Sequence, residues 1–162
     1  MTIALHFIDP HTDPWRIAPE APAPQPAAGL LLRPEQWRAV RTTWPAEVPV
    51  GVLWPNDTDI TGIAPDLPRL DLIALHFPKW TDGRAYSQAR LLRGRWRFRG
   101  QIRATGDVIA DMAPLLWRCG FDAVVLRAGE SVAVAQRALH AFDAHYQPDV
   151  RHPVEIAELH HA

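Results

Sequence analysis

Short, nearly continuous apolar runs recur through the middle of the chain, and turn-rich or helical stretches separate them. Such runs are typical of parallel β-strands that are covered on both faces. Successive runs begin about 20 to 30 residues apart, which is the spacing of βα units. The sequence therefore predicts an α/β fold of about four βα units with a mainly parallel sheet, either an open sheet or an arrangement like half of a (β/α)8 barrel. The four runs are Val48–Trp54, Asp71–Phe77, Gly100–Gly106 and Phe121–Arg127.

Helical patterns follow three of these runs. Asp82 or Thr81 is placed to cap the first helix and Asp107 the second, because an N-cap oxygen accepts a hydrogen bond from a free backbone N–H group. Gly120 is placed to end the second helix. Pro114 interrupts that helix, so we expect a kink or a later start there. The predicted helices are Gly83–Arg95, Val108–Arg118 and Ser131–Tyr146.

The front of the chain differs from the middle, because most of its sixteen prolines precede residue 80. Residues 1–47 are predicted to form a Pro-rich N-terminal segment. This segment comprises a short strand, Ile3–Ile8, an irregular Pro/Ala linker over residues 18–28, and a short helix from Pro34 to about Arg41. Residues 48–147 would form the α/β domain, and residues 148–162 a flexible tail.

The composition excludes several classes of protein. A chain of 162 residues suits one domain, and a net charge of −1 argues against a global attraction for nucleic acid. The one cysteine, Cys119, allows no intramolecular disulfide and is interpreted as buried and inert. We see no leader peptide, and no apolar run approaches the ~20 residues that a membrane span needs. We therefore expect a cytoplasmic protein without a membrane partner.

Basic residues are concentrated at the point where parallel α/β folds place their ligand-binding loops. Eight lysines and arginines lie from residue 79 to residue 107, against two aspartates, so the local charge is +6. The planar guanidinium group binds oxyanions and carboxylates through paired hydrogen bonds. The helix arginines beyond Arg90 are interpreted as mostly solvated. The residues predicted to bind an anion are Lys79, Arg84, Ser87, Arg90 and Arg103.

Three residues near the end of the second run are candidates for proton transfer. His76 ends a strand and has the chemistry of an acid or base near neutral pH. Lys79 and Asp82 follow it in the loop. A structural histidine and an N-capping aspartate are alternatives that the pattern leaves open. The scattered histidines predict no metal site, and no dinucleotide-binding or phosphate-binding motif implies a cofactor.

Three motifs give the chain a resemblance to a known family. In order, they are FPKWTDGRAYSQARLLR, GQIRATGDVIADM and RCGFDAVVLR. Through them, residues 48–128 resemble the DUF934 family, small bacterial proteins labelled "probable oxidoreductase" of sulfite reduction and encoded beside assimilatory sulfite reductase. Ala85, Gln101 and Trp80 stand where the family pattern has glycine, glutamate and often phenylalanine. The resemblance implies a role in sulfur assimilation, and Gln101 removes a carboxylate from the pattern.

Two functions are compatible with these observations. The first is an accessory protein of assimilatory sulfite reduction, which binds sulfite reductase, a redox partner or a small oxyanion through the arginine-rich strand ends. The alternative is an enzyme acting on a small anionic substrate, with His76 or Lys79 as acid/base and Arg84 and Arg103 as anion clamps. Whether the protein is catalytic, which cofactor it would use and whether it forms a homodimer stay open.

Overall fold

A single parallel sheet organises the chain. The computed structural model describes residues 4–141 and 150–151. Its sheet has seven strands in the order β1-β7-β6-β5-β4-β3-β2, and every neighbouring pair is parallel. Strands β2 to β7 are neighbours in chain order and β1 joins beside β7, so the sheet is a half-barrel that is open between β1 and β2. The strands are β1 His6–Phe7, β2 Arg16–Ile17, β3 Leu30–Leu32, β4 Val50–Trp54, β5 Leu72–Phe77, β6 Gln101–Gly106 and β7 Ala123–Val124.

Helices connect these strands. The segment Ile60–Arg69 is a 3-10 helix, because Pro65 and Pro68 remove N–H groups that an α-helix would use. A turn of π-helix, Leu91–Arg95, extends α2, and a 3-10 turn, Ala110–Met112, leads into α3. The α-helices are α1 Pro34–Val40, α2 Arg84–Arg90, α3 Ala113–Cys119 and α4 Val132–His140.

The two faces of the sheet are covered differently, because side chains alternate between the faces of a strand. One face carries the main core, in which strand residues such as Ile73 and Ile102 pack with residues of all four α-helices. On the other face, which we call the inner face, a small cluster of Leu31, Leu72 and Ala74 packs with Trp15 and Leu53. The loop of residues 8–15 connects β1 at one edge of the sheet to β2 at the other, and its Trp15 covers this inner face.

Most of the predicted elements are confirmed. The four apolar runs contain β4 to β7, and the helix beginning at Pro34 and the left-handed Gly120 at the end of α3 are as predicted. Pro114 lies in the first turn of α3, so this helix does begin late. Ser131 caps α4 by accepting a hydrogen bond from the N–H of Val134 at 3.3 Å. The predicted end of that helix at Tyr146 lies outside the described residues, as do the start of the Ile3–Ile8 strand and nearly all of the predicted tail.

Several details of the prediction are wrong. Asp107 does not cap α3, because two residues separate it from the 3-10 turn that leads into this helix. The N-cap of α2 is Gly83 rather than Asp82 or Thr81. Strands β2 and β3 and the 3-10 helix before β5 were not predicted, and β3 pairs with β4.

One helix arginine beyond Arg90 is not solvated. Arg93 is largely buried, and its guanidinium pairs with Asp122 and donates to the carbonyl oxygens of Phe98 and of Gly120, the latter at 3.0 Å from Nε. Burial lowers the pKa of Arg93. Asp122 also accepts a hydrogen bond from Arg151 at 3.2 Å. Arg93 therefore fixes the turns that enter β6 and β7 at the amino ends of the strands.

Candidate binding surface at the carboxyl ends of the strands

Asp107 joins the loops that follow three neighbouring strands. Its N–H donates to the carbonyl oxygen of Phe77 at 2.7 Å, which holds the end of β6 against the end of β5. Its Oδ2 accepts from the N–H of Trp80 at 2.9 Å, in the loop after β5. Its Oδ1 accepts from Arg127 at 2.9 Å, in the loop after β7. The carboxylate that was predicted to cap a helix thus connects β5, β6 and β7 at their carboxyl ends.

Hydrogen bonds favour the charged forms of Asp107 and Arg127. The hydrogen bond from Arg127, with that from the Trp80 N–H, lowers the pKa of Asp107, and Asp107 in turn raises the pKa of Arg127. Arg127 also donates to Glu130 at 3.3 Å, and the second oxygen of Glu130 accepts from the N–H of Ala110 at 2.8 Å. Both carboxylates orient loops, and the lowered pKa of Asp107 makes it poorly suited to proton transfer.

A second ion pair joins Asp82, in the loop before α2, to Arg84, the first residue of that helix. Arg84 donates to both oxygens of Asp82, from Nε at 3.0 Å and from Nη2 at 2.7 Å. The hydrogen bond with Arg84 holds the pKa of Asp82 well below its usual range and raises the pKa of Arg84. Arg84 is exposed, yet its charge is already matched by a carboxylate two residues away. Asp82 is correspondingly a weak proton acceptor.

Arg103 lies on the inner face and does not reach this surface. It is the third residue of β6, directly opposite Ala74 of β5, and only 3% of it is exposed. Its Nε and Nη2 donate to Oε1 of Gln101 at 3.1 and 3.0 Å, and its Nη1 pairs with Asp13. Arg103 therefore fastens the 8–15 loop across the inner face, and the structure does not bring it together with Arg84.

The other predicted residues occupy different parts of the strand ends. His76 is half-buried, and its ring packs so closely on Gly106 that a Cβ there would lie 2.7 Å from its Cε1. Lys79 is exposed in the loop after β5. Ser87 and Arg90 are exposed on α2 and form no side-chain hydrogen bond or ion pair with the described residues.

Three residues of this surface, Trp80, Asp107 and Arg127, were not among the predicted site residues, and Asp107 was predicted only as a helix cap. Trp80 is 50% exposed, although its backbone is fixed by Asp107. Arg103 was predicted because it is an arginine near the end of a strand. Arg127 is the last residue of the fourth apolar run, so the same pattern was present there. We call Lys79, Trp80, the Asp82–Arg84 pair and the Asp107–Arg127 pair the Trp80 surface.

A cavity of about 410 Å³ lies at the carboxyl ends of β1 and β7. Asp9, His11, Arg127 and Glu130 supply its polar groups, and Val124 and Leu126 are among its apolar walls. Neither His76 nor Lys79 lines it. Within the described residues no group of three or more side chains is arranged to hold a metal ion. No helix in that part of the chain is long and apolar enough to cross a bilayer.

The fold and the strand-end network define a class, a small α/β protein built on a parallel half-barrel whose polar loops meet at the carboxyl ends of β5 to β7. The chain belongs to the family described as "Bacterial protein of unknown function (DUF934)", which matches residues 51–156. The matched region includes all but the first residue of β4, all of β5 to β7 and the Trp80 surface. No curated protein matches the chain.

Proposed function

We propose that this protein is an accessory protein that binds another protein through the Trp80 surface, and that it acts in assimilatory sulfite reduction. The observation that carries the first part is a tryptophan with half its surface in solvent, whose backbone N–H is bound by Asp107 of one ion pair and which precedes the Asp82–Arg84 pair by two residues. Tryptophan and arginine are the residues that contribute most of the binding energy in protein interfaces. The pathway rests on the family resemblance alone, which makes sulfite reductase or its redox partner the first candidate partner.

The arginines of the Trp80 surface and Arg103 already pair with carboxylates of the chain, which favours a protein partner over a bound oxyanion. Arg84 and Arg127 each bind a carboxylate of the chain itself, and Arg103 is buried with Asp13. A small oxyanion at any of these three arginines would have to displace a carboxylate of the chain. A protein interface can retain such pairs at its rim, where they orient the partner and discriminate against wrong ones.

Co-purification from a host grown with limiting sulfur tests this function. Tagged protein, isolated at low ionic strength, should retain sulfite reductase or a redox protein that serves it. Trp80→Ala should lose the partner, because truncation of an interface tryptophan costs about 2 kcal/mol or more in binding free energy. Ile17→Ala is the matched control, since Ile17 is 53% exposed on β2, three strands from β5. Equal recovery with both variants would contradict the proposal.

One observation favours a second candidate, an enzyme acting on a small anionic substrate. The cavity of about 410 Å³ beside Arg127 is within the usual range for ligand sites, about 300–1,000 Å³. In this alternative His11 lies closer to the ligand than His76 or Lys79, because His11 lines the cavity. Thermal shift with sulfite, sulfate, phosphate and sugar phosphates tests it. Stabilisation that is lost in Arg127→Gln but kept in Arg84→Ala would favour this cavity, and no stabilisation by any anion would exclude it.

A further inference from the structure

A groove at the amino ends of β5 and β6 holds two arginines that have no carboxylate partner among the described residues. Arg97 and Arg99 are exposed, and neither forms an ion pair or a side-chain hydrogen bond in that part of the chain. Both line a cavity of about 290 Å³. Its other walls are Leu67, Pro68, Leu70, Trp96, Phe98 and Gly100. The groove therefore combines two uncompensated positive charges with an apolar floor.

The turn that carries these arginines is anchored through Phe98. The N–H of Phe98 donates to the carbonyl oxygen of Leu92 at 2.9 Å, and its own carbonyl oxygen accepts from Arg93. The ring of Phe98, itself 6% exposed, packs so tightly on Gly100 that a Cβ there would lie 2.3 Å from Cζ. The arginines on either side of Phe98 thus project from a fixed backbone.

Arg97 has an unfavourable backbone conformation. With φ of 51°, it is the one residue other than glycine with a positive φ in the described residues. Such a conformation is disfavoured for a long side chain and persists where the surrounding structure enforces it, which occurs often at binding sites. Here Arg97 directly precedes the anchored Phe98, and Arg97 and Arg99 line the same cavity.

The size and chemistry of the groove indicate its ligand. Its volume of about 290 Å³ is at the lower limit for small-molecule sites, about 300 Å³, so it suits one apolar side chain better than a whole cofactor. Guanidinium groups pair with carboxylates through two hydrogen bonds. We propose that this groove binds an acidic peptide segment of a partner protein, whose carboxylates pair with Arg97 and Arg99 while a neighbouring apolar side chain enters the cavity.

This proposal does not rest on the Trp80 surface. The groove lies where β5 and β6 begin, whereas Trp80 lies beyond the point where β5 ends. A partner that used both would contact opposite ends of the same strands. Failure of either site would leave the other unaffected.

Fluorescence anisotropy of labelled peptides on the full chain tests the groove. The probe is a fluorescein-labelled Glu-Glu-Leu-Glu-Glu peptide, compared with Gln-Gln-Leu-Gln-Gln and Glu-Glu-Ser-Glu-Glu at low ionic strength. The acidic apolar peptide should bind best. Arg97→Gly and Arg99→Gln should each weaken it at least about tenfold, the size expected for one charge-assisted hydrogen bond. Glycine at position 97 tolerates the positive φ, so this variant should keep its fold.

Arg137→Gln is the matched control, because Arg137 is exposed on α4 and does not line the groove, yet its loss changes the net charge equally. This variant should bind like the native chain. Equal affinity for the glutamate and glutamine peptides, or equal weakening by Arg137→Gln, would overturn the proposal. Saturable binding of sodium sulfate alone that is lost in Arg97→Gly would also overturn it, in favour of a small-oxyanion site.

Discussion

At the scale of single residues, the buried pair of Asp13 and Arg103 connects the N-terminal loop to the sheet. The exposed fractions of their side chains are 11% and 3%, and Gln101 supplies the only other acceptor that Arg103 contacts in the described residues. Position 101 holds an amide rather than a carboxylate, so Asp13 provides the one carboxylate that pairs with Arg103 among the described residues.

Removal of that carboxylate should be costly. Asp13→Ala would leave a buried guanidinium without a counter-charge, which typically lowers the free energy of unfolding by about 3–5 kcal/mol. Urea unfolding of the variant measures this loss. Glutamate in place of Gln101 would restore a carboxylate beside Arg103, so Gln101→Glu should recover part of the stability in the Asp13→Ala background. A loss below about 1 kcal/mol, or no recovery by Gln101→Glu, would contradict this account of Arg103.

The pH dependence of stability should depend on Asp107. Because Arg127 and the Trp80 N–H lower its folded-state pKa, its contribution is fully present above the unfolded value of about 3.9 and is lost as the pH falls through the folded value. Asp107→Asn should therefore lose less stability than the native chain on acidification below pH ~4. Arg127→Gln should have the same effect, because it removes the main cause of the lowered pKa. Urea unfolding from neutral pH to pH ~2 measures this, and identical acid profiles for all three proteins would disprove it.

At the scale of elements, the end of β6 depends on Gly106. Its φ is 94°, and a Cβ there would lie 2.3 Å from the carbonyl oxygen of Phe77 and 2.7 Å from His76. The glycine lets Asp107 reach the end of β5, where its N–H is bound. The geometry of the Trp80 surface thus depends on the absence of a side chain at Gly106.

Gly106→Ala should destabilise the protein by more than the backbone strain alone, which is about 1–2 kcal/mol. Gly129→Ala is the matched control, because Gly129 also has a positive φ, 87°, but no atom lies within 4 Å of its added Cβ. The difference between the two variants in urea unfolding isolates the contact with Phe77 and His76. Equal destabilisation by both substitutions would show that this close packing is unimportant.

Regular patterns predicted the elements of the second half of the chain well. The apolar runs containing β4 to β7 are strands buried from both sides, so composition alone revealed them. Strand β1 lies within the predicted strand Ile3–Ile8, but β2 has two residues, too few to produce a pattern, and it pairs with β3, which was not predicted either. Distance along the chain also limited the prediction of the site. The carboxylate that pairs with Arg103 belongs to Asp13, 90 positions away, so no local pattern indicates it. Arg84, in contrast, pairs with Asp82, which is only two positions away.

At the scale of the whole molecule, two surfaces lie at opposite ends of the parallel strands of the half-barrel. Its carboxyl ends carry the Trp80 surface, and its amino ends carry the groove of Arg97 and Arg99. The arginine-rich stretch that stood out in the sequence is therefore divided, because α2 and its π-turn run from one end of the sheet to the other. Its residues form an ion pair at the carboxyl ends, a largely buried ion pair at Arg93 and, in the groove, charges that have no partner among the described residues.

The central claim is that the Trp80 surface binds a protein partner, and a titration with purified sulfite reductase and its redox partner tests it most directly. The native chain and Ile17→Ala should bind one of them with equal affinity, whereas Trp80→Ala should bind at least about thirtyfold more weakly, as expected for a loss of about 2 kcal/mol. Unchanged affinity of Trp80→Ala, or no binding of the native chain to either protein, would contradict the claim.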